Sequence, residues 1–181
     1  MQTSQEKGNR RQIHKESTPQ APLLVIEREF DVPVSQLFAA FSDSDSLKEW
    51  WWPQEFFADE ADVDFREGGE FFISMDGGGT DTGIAGGMTG RYEEIVENKR
   101  IVMTDQFADK EGNAITPDEA GMPGDWSEMA YITFEFDDLG GKRSRFRLSH
   151  QGVPAKFQQD CIQGWSESFD KLEKYLRGYS H

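Results

Sequence analysis

The run from Ala155 to Arg177, AKFQQDCIQGWSESFDKLEKYLR, decides how the rest of the chain can fold. Its apolar residues Phe157, Cys161, Ile162, Trp165, Phe169, Leu172, Tyr175 and Leu176 recur three and four residues apart, which puts them on one face of a helix. Gly178 follows as a stop signal. A long helix with one apolar face needs a surface to bury it against.

That surface must come from the residues upstream. Leu23 to Phe30 reads as a strand, with Leu24, Ile26, Arg28 and Phe30 on one face and Glu27 and Glu29 on the other. Pro33 suits the first turn of a helix, with Asp31 as its cap, and Val34, Leu37, Phe38 and Phe41 follow at helical spacing. Asp43 to Ser46 then cap a second short helix that carries Leu47 and Trp50. Six strand-like runs follow: 61–66, 69–75, 88–96, 100–107, 129–136 and 142–150. Turn signals separate them at Gly68-Gly69, at Asp76 to Gly79 and at Gly140-Gly141. The stretch 108–127, rich in Asp, Gly and Pro, is too polar for a core and is expected to be a surface loop. Strands joined by tight turns pair antiparallel, and a sheet of this size curls to limit its edges. The expected fold is therefore α+β: a curved antiparallel sheet wrapped around a long C-terminal helix, with two short helices after the first strand. A strongly bent sheet cannot touch a straight helix everywhere, so a space is left between them.

The chain has 181 residues, enough for one domain and a tail. Residues 1–22 hold little that could be buried and read as a disordered polar tail; residues 23–178 form the domain. The net charge is -15, and the tail, with four basic and two acidic residues, leaves -17 on the remainder. So acidic a surface repels phosphate backbones and anionic lipid heads, which argues against nucleic acid and membrane as partners. A single cysteine, Cys161, cannot form an internal disulfide, and no apolar run is long enough for a signal or a membrane span. A cytoplasmic protein is expected.

Three local signatures resemble a known family. They are the Arg28-x-Phe30 and Val32-Pro33 elements leading into Leu37-Phe38-x-Ala40-Phe41; the Trp50-Trp51-Trp52-Pro53 run after the second short helix; and Gly164-Trp165 with Leu172 and Tyr175-Leu176 on the last helix. Together with the element order they resemble the helix-grip (START-like) superfamily, which includes lipid-transfer domains, birch pollen allergen and polyketide cyclases. Within it, the likeness is to the C-terminal domain of the activator of heat-shock-protein-90 ATPase. The resemblance covers roughly residues 23–178 and implies an internal pocket. Cys161 stands where relatives often carry histidine, and residues 1–22 are too short for the chaperone-binding domain of eukaryotic co-chaperones, so a chaperone partner is not the leading expectation.

Candidate chemistry is sparse. The histidines His14, His150 and His181 lie far apart and the cysteine is alone, so no metal site and no cofactor are expected. The glycines from Gly77 to Gly87 lack the Lys-Ser or Lys-Thr pair of a phosphate loop and have Asp76 and Asp81 beside them, so a flexible hairpin is the better reading. Carboxylate neighbours are expected by chance in so acidic a chain. Arg28 falls on the apolar face of its strand, where a charge is costly without a partner. Its partner is either a core carboxylate or a polar ligand group, and the structural ion pair is the favoured choice. His150 shares a face with Phe146 and Leu148, as a satisfied structural histidine or as an acid or base at a pocket rim. The ligand-binding candidates are Arg28, Trp50, Trp51, Phe72, Met103, Phe107, Trp126, His150 and Trp165, with Met88 and Met129 as further adaptable side chains. The function expected is noncatalytic binding of a small hydrophobic or aromatic ligand. A cyclase- or hydratase-type enzyme using the same cavity and a co-chaperone are the alternatives, and a homodimer is left open.

Overall fold

The computed structural model describes residues 23–77 and 86–178. The tail 1–22, with His14, the glycines of 78–85 and His181 lie outside the described residues.

The chain runs β1 (Leu24–Phe30), α1 (Val34–Ala39), α2 (Ser44–Trp50), β2 (Ala61–Val63), β3 (Glu70–Ser74), β4 (Gly87–Val96), β5 (Arg100–Ala108), β6 (Ala130–Gly140) and β7 (Arg143–Gln151). A 3-10 turn (Ala155–Phe157) then leads into α3 (Gln158–Gly178). The strands form one sheet in the order β1-β7-β6-β5-β4-β3-β2, antiparallel throughout. Only β1 is out of sequence order, because α1 and α2 carry the chain from one edge to the other. This is the expected curved-sheet, helix-grip architecture.

Local chemistry explains the turns and ends. Gly140 and Gly141 adopt φ of 81° and 59° between β6 and β7, a conformation that costs a residue with a Cβ. Strand β2 ends at Val63, sooner than its apolar pattern suggests, because Arg66 N–H donates to the Asp64 carbonyl in a tight turn. Asp43 caps α2 by accepting from Ser46 N–H at 2.8 Å. Asp31 does not cap α1: Pro33 occupies the N-cap with no side-chain bond, its φ of -59° already set for the start. The Asp31 carboxylate instead lies 3.8 Å from Arg143 Nε on the surface.

The inner face follows the two-residue period of each strand. Ile132, Phe134 and Phe136 of β6 and Phe146 and Leu148 of β7 are buried, as are Ile101 and Met103 of β5. Against them α3 buries Phe169, Leu172 and Leu176. The two short helices fill the gap at one end. Phe41 stands 4.7 Å, centroid to centroid, from Phe134 and 4.9 Å from Trp50, and Phe146 is 4.7 Å from Phe169, all edge to face. Such pairs contribute about 0.5–1.5 kcal/mol each beyond their buried area.

Candidate functional site

At the other end the sheet and helix stay apart. A cavity of about 430 Å³ lies between the inner face of the sheet and the N-terminal half of α3. Three chain segments complete it. The first is the run after α2. Trp50 turns into the core, fully buried, with its Nε1–H donating to the Ala40 carbonyl at 3.0 Å. Trp51 closes the helix in an extended conformation and Trp52 takes φ of 98°, so the chain reverses and both indoles reach the cavity. Positive φ in a bulky residue is strained and persists only where packing enforces it. Here Trp51 Nε1–H donates to Met88 Sδ at 3.2 Å, and Trp52 Nε1–H donates to the Ser74 carbonyl. Lys171 ties the same run to α3 by donating to the carbonyls of Pro53 (2.9 Å) and Phe56 (2.7 Å). Burial lowers the Lys171 pKa, against the pull of Glu167. At the crossing a Cβ on Gly164 would stand 3.2 Å from Pro53 Cγ, so glycine lets the helix come this close.

The second segment is the polar loop after β5. It lies at the surface as expected, but it also roofs the cavity with Met122, Trp126 and Ser127. Trp126 is held by its Nε1–H bond to the Pro123 carbonyl and packs between Phe107 (5.6 Å) and Phe157 (5.3 Å). The third segment is the first turns of α3, which contribute Asp160, Cys161 and Trp165.

The polar part of the lining is concentrated. His150 Nε2 lies 3.1 Å from Asp105 Oδ2, and Trp165 Nε1–H donates to His150 Nδ1 at 3.2 Å. An indole N–H can only donate, so Nδ1 carries the lone pair and Nε2 carries the proton that Asp105 accepts. Both ring nitrogens of His150 are thereby used. Burial, followed by the negative charges of Asp105 and Asp160, pushes the Cys161 thiol up to about 11, so it is protonated at neutral pH. No lysine or arginine among the described residues lines the cavity. Among the described residues, no three His, Cys, Asp or Glu are placed to hold a metal ion, and no helix is long and apolar enough to cross a membrane.

Of the nine candidates, Trp51, Phe107, Trp126, His150 and Trp165 surround the cavity. The other four lie elsewhere. Trp50 is core. Met103 is buried at 3% exposure, deeper on β5 beside Tyr92 and Ile132 in register. Phe72 faces the opposite side of the sheet, because Phe71 and Ile73 take the inner positions of β3. Its ring packs outside, against Gly112 of the loop. Arg28 is a structural ion pair: it donates to Asp170 Oδ1 at 2.6 Å and to the Ser166 carbonyl at 3.2 Å, with Glu173 3.6 Å away. Of the two further methionines, Met88 lines the cavity and Met129 is exposed. Sequence reasoning missed Trp52, Phe56, Asp105 and Cys161 as lining residues. Asp105 had a signal, since it continues the inner alternation Ile101, Met103, Asp105, Phe107, a charge on an apolar face just as Arg28 is.

Residues 31–177 match the family described as activator of Hsp90 ATPase homolog 1-like protein. No curated protein matches the sequence. Among solved structures, a protein from Chromobacterium violaceum is 25% identical with a TM-score of 0.65, covering 85% of this chain and 96% of its own. The AHSA1 protein from Silicibacter pomeroyi is 23% identical with a TM-score of 0.67, covering 88% of this chain and 100% of its own. An HSP90 activator from Plasmodium falciparum is 24% identical with a TM-score of 0.57, covering 85% and 95%. These likenesses carry the fold, and the family match spans most of the sequence: the chain belongs to the activator of Hsp90 ATPase homolog 1-like family.

Proposed function

We propose that the protein is a noncatalytic binding module that holds a small, largely apolar molecule between its sheet and C-terminal helix. The observation that carries this reading is the preformed cavity of about 430 Å³, walled by indoles, phenyl rings and methionines with a few polar groups at one place. That is the size and composition of small-molecule sites in general. An enzyme using the same space would need ionisable groups free to act on a ligand. Asp105 and His150 converge there, but both nitrogens of His150 are already engaged, so Asp105 Oδ1 can meet a ligand without a free imidazole beside it, which favours binding over acid-base chemistry. The reading places the protein in the cytoplasm with Cys161 as a thiol.

Native mass spectrometry of protein purified from its own host tests it. The expected result is a co-purifying small molecule that is lost when Ala130→Phe places a ring in the cavity that Ala130 lines. Bare protein, together with no thermal shift from a panel of apolar probes, would overturn it. A second reading, activation of a heat-shock ATPase, is supported by the description of the family and by the name of the Plasmodium neighbour. It predicts stimulated ATP hydrolysis when this chain is added to such an ATPase, and an unchanged rate counts against it.

A further inference from the structure

We propose that the cavity selects hydrophobic amines, aromatic or aliphatic bodies carrying an ammonium group, and rejects carboxylates and phosphates. This rests on the cavity being a ligand site, and it names the ligand by charge. Asp105 lines the cavity from the inner face of β5, and its side chain keeps 22% exposure there. One oxygen, Oδ2, accepts from His150; the other, Oδ1, has no hydrogen-bond partner among the described residues. A carboxylate oxygen in a mostly apolar space is an acceptor waiting for a donor, and a charged donor satisfies it best. Asp160 adds a second negative charge to the lining.

Among the described residues, no cation in the lining offsets these charges. Three cations of the surrounding elements make other contacts: Lys171 with two backbone carbonyls, Arg28 with Asp170 and Glu173, and Lys156 over the ring of Phe157 at 5.2 Å. An anionic ligand would thus bring a second charge beside Asp105 in a mostly apolar space, with no cation among the described lining residues. An ammonium would gain the Asp105 hydrogen bond and would face the indoles of Trp51, Trp52, Trp126 and Trp165, whose rings attract cations. The aromatic and methionine walls would cover the rest of the molecule. The Cys161 thiol reports the same field, since Asp105 and Asp160 both add to what keeps it protonated.

The test is calorimetric titration with three matched probes: naphthylethylamine, naphthylethanol and naphthylacetate. At physiological ionic strength the amine is expected to bind about 10- to 100-fold more tightly than the alcohol, the gain of one charge-assisted hydrogen bond, and the acid most weakly. Because the whole chain is acidic, the amine's advantage must also survive raised salt, which screens the exterior far more than the cavity. In Asp105→Asn, which keeps an acceptor for His150, the amine should fall to the level of the alcohol, and the thermal melt of the unliganded variant is the control for folding. Acid bound as tightly as amine, or an amine preference unchanged in Asp105→Asn, overturns the inference while leaving the cavity as a ligand site. Failure of all three probes to bind overturns both.

Discussion

The two ends of the space between sheet and helix are built from the same kinds of side chain and do opposite things. At the end closed by α1 and α2, Phe38, Phe41, Trp50, Phe134, Phe136, Phe146 and Phe169 interlock edge to face, and the opening beside them is an outer groove between α1 and Phe65 and Ile95. At the other end, Trp51, Trp52, Phe107, Trp126, Phe157 and Trp165 stand around 430 Å³ of open space. The difference lies in what closes each end. Two helices insert rings into the first, whereas a polar loop only spans the second. Aromatic content therefore marks where apolar surface is needed, and backbone geometry decides whether that surface meets itself or a ligand.

Truncation breaks the comparison most sharply. Trp50→Ala should destabilise the fold by about 3–5 kcal/mol, because it empties a fully buried ring and orphans the Ala40 carbonyl. Trp126→Ala should cost about 1 kcal/mol or less, since the ring is partly exposed, while weakening ligand binding. Denaturant unfolding of both variants checks this, and equal losses would erase the distinction between the ends. A smaller effect appears at high pH. Burial raises the Tyr92 hydroxyl well above its ordinary value of 10, and the Cys161 thiol rises from 9.0 to about 11. In both cases the unfolded chain releases its proton first. Stability is therefore complete below about pH 9 and is lost as pH climbs beyond it. Tyr92→Phe should remove the part of that loss that begins near pH 10, and Cys161→Ala the part that begins near 9, as read from melting temperature against pH. The mildest probe is alkylation of Cys161. It should be slow at pH 8, speed up towards pH 11, and become faster at pH 8 in Asp105→Asn, where one of the charges opposing the thiolate is gone. A rate unaffected by that substitution would separate Cys161 from the field of Asp105.

Most of the fold was legible because it obeys simple periods. The stripe on α3, the alternation in β6 and β7 and the paired glycines at 140–141 each have one reading. The cavity was legible only in part. Phe71, Phe72 and Ile73 are consecutive and apolar, so they give no face, and Phe72 falls outside. Trp50, Trp51 and Trp52 part ways because of a backbone reversal at Trp52 that no propensity announces. The loop 108–127 was rightly placed at the surface, yet a surface loop can still turn Met122 and Trp126 inward. Asp105 was hidden by the number of carboxylates around it, although the argument that singled out Arg28 applied to it equally.

Four of the five tryptophans in this chain, all but Trp50, border the cavity. The molecule thus carries its own optical gauge. A guest that displaces water from those four indoles would shift their emission colour. Trp50, in the packed end, does not meet the guest, but its ring lies 5.1 Å from that of Trp51 and shares its excitation. Occupancy can be followed by light on the unlabelled protein, so extracts could be screened for a natural guest without attaching a dye.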